Sequence, residues 1–449
     1  MHTGFADSYS VRRDRLAQQM QSTANAAVRL KKDTSNLFRD RVDGQNQELS
    51  VRDFNHLLEI DIENQTLVSE GMNPYGELVD ATLQYGFMPM VVPQLNTITI
   101  GGAVAGIGIE STSFKFGLPH ETVMEMEVLL ADGSIVNCTP TNEHADLYFG
   151  LPNSYGTLGY VLKLKTPALP VKRFVKLNHK LYRDAEEFFS VIAALRNSDI
   201  DFLDGSVFGR NEYYLTIGQF TDTAPFTSDY TYLDIYYKSI PQKQTDYLTV
   251  EDYIWRWDTD WFWCSKNLYV QNGLMRRLVG KKRLNSRTYT KVMRWNSKWG
   301  ITKFLNRMGG NHPESVIQDI DIPIENATEF LDFLLREIGV LPIWICPVGT
   351  SDQADKFPLF PMKPNSTYIN FGFWDSVKSR QKNPPGYLNR KIERKTADLD
   401  GIKSLYSDAY FEEDEFWTIY RSENYWALKE RYDPNGKFLN LYEKSVLRK

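Results

Sequence analysis

Residues 97–117 read TITIGGAVAGIGIESTSFKFG, with Gly101, Gly102, Gly106, Gly108 and Gly117 set among small side chains and Glu110 as the only acid. Glycine tolerates positive φ and lets a ligand approach main-chain N–H groups, so such a stretch suits a phosphate-bearing cofactor. Its spacing does not give the GxGxxG that opens a dinucleotide-binding helix, nor the Gly-Lys-Ser/Thr that ends a P-loop. Alternation of β-type residues on both sides predicts extended chain rather than a helix start. A purely structural glycine-rich turn is the competing reading.

The 449 residues favour two or three domains. With 42% hydrophobic and 24% charged residues the composition is that of a globular chain, and 52 basic against 57 acidic residues leave a net charge of -5, which excludes a global field for nucleic acid. Cys138, Cys264 and Cys346 stand far apart without CxxC spacing, so neither a disulfide framework nor a metal site is expected, and a reducing cytoplasm is the simplest home. The N-terminus lacks the apolar core of a signal peptide, and no apolar run is long enough to span a bilayer. Aromatic residues make up 13% of the chain, which suits a large planar or apolar ligand and equally a large core.

Along the chain, VRLKK (28–32) reads as a strand entering the polar loop DTSNLFRDR, followed by a hairpin (54–71), a helix (74–86) and a strand at FMPMVVP. A second hairpin turns on Asp132-Gly133, and a helix, a glycine turn and a strand lead to Pro167 and Pro170. From Val171 the texture changes to two strand–helix–strand–strand units, the pattern of an antiparallel sheet backed by helices. The expected fold class is α+β. Residues 1–170 form a first domain, 171–400 a second one with a basic, aromatic insertion at 253–303, and 401–449 a C-terminal segment that completes the active site.

The order of these features carries a resemblance. The loop with Thr34, Ser35 and Asn36, the TxGGxxxGxG pattern ending in FG, LADGS, and SYGTLGYV (154–161) together resemble the FAD-binding domain of the vanillyl-alcohol oxidase, or PCMH-type, flavoproteins. Within that superfamily the chain is most similar to the Δ24-sterol reductase (Diminuto/seladin) family. That likeness rests on GIGIESTSFKFGL (106–118), VLLADGSIVNCTP (128–140), VIQDIDIPI (316–324), LPIWICP (341–347), LYSDAYFEEDEFW (405–417) and YDPNGKFLNLYEK (432–444).

The resemblance implies one FAD between two subdomains, its pyrophosphate wrapped by Thr34, Ser35 and Asn36 and by the main chain around Thr99, Gly101, Gly102 and Ala103. Gly106, Gly108, Ser111, Ser113 and Gly117 continue that wall toward the ribityl chain, and Gly156, Thr157, Gly159 and Val161 lie along the ribityl and adenine end. Turn capping is the alternative role of Ser111, Ser113 and Thr157. The first loop contains no His or Cys and His120 lies beyond the glycines, so non-covalent FAD is expected; Lys31 and Lys32 stand where relatives have glycine.

The reaction so implied is reduction of an isolated C=C bond in a sterol or other isoprenoid lipid, with NADPH as electron donor. An unactivated alkene is a poor electrophile, so protonation must lead or accompany hydride transfer, and the site needs an acid whose pKa dry surroundings can raise. The candidates are Tyr410, Asp408 and Glu415 in the C-terminal segment and Glu110 and Lys115 in the glycine stretch. Lys115 is alternatively a cation at the flavin N1 edge, Tyr410 a core residue, and Glu412–Glu415 a solvated helix start; His179 and His312 read as structural. A flavin-dependent dehydrogenase or oxidase of an alcohol, sugar or polyprenyl-linked sugar is the alternative enzyme, and a membrane scaffold without flavin the non-enzymatic one. Residues 266–303 carry 11 basic residues and no acid, after an aromatic run with Trp255, Trp257, Trp261 and Trp263. This predicts peripheral contact with an anionic membrane, Trp anchoring at the interface, with a plain surface loop as the rival; nucleic acid is not expected.

Overall fold

The structure, a computed structural model, describes residues 6–23, 28–32, 38, 47–268, 270–299 and 312–449. Thr34, Ser35 and Asn36 lie outside the described residues. The chain opens with a helix, Ala6–Ser22, then the parallel pair β1 (Val28–Lys31) and β2 (Gln47–Ser50).

The strands β3 (Leu57–Asp61), β4 (Thr66–Glu70), β5 (Phe87–Pro89), β6 (Glu125–Leu129), β7 (Ile135–Cys138) and β8 (Tyr160–Pro170) form one antiparallel sheet. Its order is β3-β4-β8-β6-β7, with β5 also pairing β8. The glycine stretch departs from the sequence reading: Ile100–Gly106 is a helix. Thr99 caps it by accepting the Gly102 N–H at 3.3 Å. Low intrinsic propensity is overridden here by docking, because the helix start lies against Gly71: Gly101 N–H donates to the Gly71 carbonyl at 2.8 Å, and a Cβ on Gly101 would sit 2.7 Å from that oxygen.

A second antiparallel sheet contains β9 (Phe174–Tyr182), β10 (Phe202–Gly209), β11 (Glu212–Thr221), β12 (Thr245–Thr249), β13 (His312–Pro323), β14 (Ile343–Gly349), β15 (Thr367–Ser379) and β16 (Ile402–Lys403). Its order is β12-β9-β11-β10-β14-β15-β13-β16. Two β-α-β-β units thus meet at the β10–β14 pair, as the alternation predicts. Even-numbered Ile320 and Ile322 on β13 and odd-numbered Leu203, Val207, Ile345 and Phe371 on β10, β14 and β15 form one face. That face packs on the helices Ala185–Leu195, Ala327–Phe333 and Tyr387–Asp398 through Phe188, Phe330 and Ile392.

The aromatic run of the insertion is core. Trp257, Trp261 and Trp263 are buried, and Phe262 lies 4.3 Å from Trp374 and 5.1 Å from Trp344 of the second sheet. Bilayer anchoring by these tryptophans is therefore corrected: Trp257 packs on Tyr236, Trp261 on Phe38 and Tyr289, and Trp263 on Trp374, so their rings are already covered. Among the described residues no helix is long and apolar enough to cross a membrane.

Candidate active site

The inner face of the second sheet is polar where an ordinary core would be apolar. Asp204 on β10, Asp319 and Asp321 on β13 and Asn370 on β15 share it with Trp344, Cys346 and Trp374. Asp321, 1% exposed, accepts an N–H from Asn370 at 3.2 Å, and burial pushes its carboxyl up to about 7. Asp319 stands opposite Gly372, where a Cβ would lie 2.8 Å from its Oδ1, so glycine leaves that oxygen its space. Oδ1 is buried without a partner, and the carboxyl lies beside the Tyr406 hydroxyl, which accepts the Trp374 indole N–H at 2.8 Å. Burial, reinforced by the charge of Asp321, holds Asp319 well above the usual carboxylate range.

Several residues in the middle of the molecule keep part of their surface exposed: Phe38 between β1 and β2, Tyr155 before β8, Ile317 and Asp319 on β13, and Tyr406 beyond β16. Their partly exposed surface is the candidate cleft; the Phe38 and Tyr406 rings lie 5.9 Å apart. The Phe38 N–H donates to the Tyr406 carbonyl at 3.0 Å, and its ring lies 5.7 Å from Trp261. Tyr155 donates its N–H to Ala105 and its hydroxyl to Gly106 at 2.9 Å, tying the second glycine turn to the end of the glycine helix. Asn153 accepts the Leu405 N–H at 3.4 Å, and the neighbouring hydroxyls of Ser154 and Ser407 are buried without partners. Unpaired buried donors call for an acceptor-rich ligand, and Ser407 pairs in a β-bridge with Phe38 at the polar loop. These two unpartnered hydroxyls fit the acceptor oxygens of FAD.

A second cluster crosses the same face. Arg256, in the turn after the helix Val250–Ile254, is fully buried and donates to Glu110 at 2.7 Å and to Asp204 at 3.1 Å. The Trp344 indole N–H reaches Asp204 at 3.1 Å, and the Ser111 and Tyr253 hydroxyls are 2.9 Å apart. Burial raises both carboxyls while Arg256 opposes the shift, and the two acids keep the guanidinium protonated.

The three sequence candidates for catalysis are not brought together. Glu110 is in the buried ion cluster. Lys115 is exposed, its ammonium 5.9 Å from the Phe116 ring. Tyr410 is half-buried beside Arg448 and Gly386, its N–H held by Glu393, which pairs with buried Lys403. Glu415 pairs with Arg390. Among the proposed cofactor contacts, the N–H groups of Ile100, Gly101, Gly102 and Ala103 bond Asn73, Gly71 and Thr99. The Ser113 hydroxyl accepts the Glu110 N–H at 3.2 Å, and Thr157 donates to the Ser154 carbonyl at 2.9 Å, both as local caps. Gly108 lies against Pro93 and Pro119, Gly117 and Gly156 take positive φ, and Gly159 and Val161 line the β6–β8 contact. Asp319, Asp321, Tyr406, Asp204 and Arg256 escaped the sequence reading; two acids on the alternating strand VIQDIDIPI were the available signal, since an acid on a strand with both faces covered is functional or paired.

Residues 19–139 match a family model described as FAD binding domain. Over 404 residues the chain is 27% identical to Delta(24)-sterol reductase of Homo sapiens, covering 86% of this chain and 75% of that protein. The Arabidopsis thaliana Delta(24)-sterol reductase is 23% identical over 446 residues, 89% and 76% of the two chains. Cytokinin dehydrogenase 9 of Oryza sativa subsp. japonica is 26% identical over 155 residues, 32% of this chain and 30% of that protein. The chain is an FAD-dependent oxidoreductase. Its FAD-binding domain is of the PCMH type and its architecture is α+β, as the motif order implied.

Proposed function

We propose that this oxidoreductase reduces a C=C bond of a sterol or another isoprenoid lipid, with NADPH as electron donor. One observation carries the reading: the similarity to Delta(24)-sterol reductases spans 86% of the chain, so it includes the second sheet that lines the cleft and not only the cofactor domain. The rice dehydrogenase matches only 32% of the chain. Bound FAD would supply the hydride. The hydroxyls of Ser154 and Ser407, with Thr34, Ser35 and Asn36 in the polar loop, would hold its acceptor oxygens, while Phe38, Tyr155 and Trp261 provide an apolar wall that excludes water.

The test is anaerobic. NADPH should bleach the flavin of the purified protein, and a sterol with an unsaturated side chain should restore the colour. Bleaching by an alcohol but not by NADPH transfers the protein to the dehydrogenase reading.

A lipid substrate also gives a use to the basic insertion. Leu274 and Leu278, 66% and 70% exposed, stand one helical turn apart beside exposed Arg277, Lys281 and Lys282. Each such cation near anionic lipid contributes roughly 1 kcal/mol. We propose a cytoplasmic protein held peripherally on a membrane surface through this patch.

A further inference from the structure

We propose that Asp319 and Tyr406 are the proton-donating pair of this site, Tyr406 handing its hydroxyl proton to the substrate and Asp319 replacing it. The inference rests on the alkene-reductase reading and names the acid which that reading requires. Geometry carries it. Asp319 sits on the inner sheet face beside the Tyr406 hydroxyl, both flanking Trp374, with Oδ1 buried and unpartnered in the space that Gly372 leaves. Tyr406 keeps part of its surface exposed in the cleft, and its position is fixed from two sides by the Trp374 indole and the Phe38 N–H.

The titratable groups that bear on the pair are Asp321, two residues along the same strand, and Tyr155 from the glycine turn. Asp321 is an acid, so its ionisation disfavours charge on Asp319 and keeps the proton in place. An isolated carboxyl would otherwise be ionised at neutral pH and useless as a donor to an alkene.

In the step, one alkene carbon would take the Tyr406 hydroxyl proton, and bound FAD, once reduced, would supply the hydride for the other, so that two C–H bonds replace the π bond. The Asp319 carboxyl proton passes to the tyrosine oxygen as it leaves. Asp319 ends as a carboxylate and recovers its proton from solvent once product departs. The two electrons come from NADPH through the cofactor, and no further oxidant or reductant is needed.

The experiment uses Asp319→Asn and Tyr406→Phe in the full chain. In single turnovers NADPH should bleach both variants within about threefold of the wild-type rate, whereas reoxidation by the sterol alkene should slow by roughly 10²–10⁴-fold. A second measurement needs no flavin. At about pH 8, above the value near 7 of Asp321, the infrared spectrum of the flavin-free protein should show a protonated carboxyl band that Asp319→Asn removes. Unchanged alkene reoxidation in both variants overturns the pair. If reduced wild type is itself inert to the alkene, the reductase reading falls, and the band then decides: its persistence in Asp319→Asn overturns the inference.

Discussion

Single residues set the spacing on which the cofactor domain depends. Gly71 follows β4 directly, with its N–H on the Leu162 carbonyl at 2.7 Å, and a Cβ there would lie 2.1 Å from the Val161 carbonyl oxygen. Gly71→Ala must push β4 and β8 apart, and we expect a loss of about 2 kcal/mol or more. Gly273→Ala, which meets nothing within 4 Å, should stay within about 0.5 kcal/mol of wild type. Urea unfolding of the flavin-free proteins compares the two, and equal losses would show that the contact is not limiting. Asp321 makes a signed prediction. Its folded value of about 7 exceeds the ordinary 3.8, so between those pH values the unfolded chain has released a proton that the folded chain retains. The stability it contributes is complete below about pH 4 and is lost as pH rises to about 7, at up to about 1.4 kcal/mol per pH unit. Asp321→Asn removes that loss. Its advantage over wild type should grow across this window and level off above it, and a difference in urea midpoint that does not change with pH contradicts the burial argument.

At the level of elements, the insertion shows how neighbouring residues part company on a helix. Arg276 and Arg277 are adjacent in Gly273–Val279, about 100° apart around the axis. Arg277 is exposed beside Leu274 and Leu278, while Arg276 is buried and donates to Asp260 at 2.8 Å. Replacing Arg277, Lys281 and Lys282 by Gln should weaken binding to anionic vesicles at low salt and leave stability within about 0.5 kcal/mol. Arg276→Ala instead strands a buried carboxylate, at a cost of about 3–5 kcal/mol, and should be recognised by its unfolding midpoint rather than by vesicle sedimentation. A count of basic residues could not separate these roles, because which side of a short helix is covered depends on Tyr232 and Asp260, residues remote in the chain. The long strands were plain in the sequence for the opposite reason: in VIQDIDIPI and STYINFGFW the side chains alternate between two covered faces, and alternation is local. The helix Ile100–Gly106 was not. Its glycines argue against helix, and the decision belongs to a contact with Gly71 that no local pattern encodes. The same limit hid Tyr406 as the partner of Asp319, since their meeting requires β16 to add to the sheet edge beside β13.

Across the whole molecule, one cation joins the cofactor-binding half to the sheet that faces it. Arg256 comes from the insertion, Glu110 from the glycine stretch and Asp204 from the centre of the second sheet, so a single guanidinium holds three segments that share no secondary structure. Its desolvation is offset by two carboxylates, by the Tyr253 carbonyl at 3.0 Å and by the Tyr253 ring face at 4.1 Å. Arg256→Met keeps the volume and removes the charge, leaving Glu110 and Asp204 close together and buried with no counter-charge. The pair must then bind a proton or separate. We expect a destabilisation of about 3–5 kcal/mol at neutral pH, partly recovered in mild acid as the second carboxyl is neutralised. Because the broken contact lies between the halves rather than within either, the variant should also unfold less cooperatively, its two sheets melting apart where the wild type melts together. Calorimetry at two pH values reads both effects. A single transition with an undiminished midpoint would mean that apolar packing of Ile100, Val104, Trp344 and Trp374 in the shared core suffices to join the halves, and that the ion cluster serves the site alone.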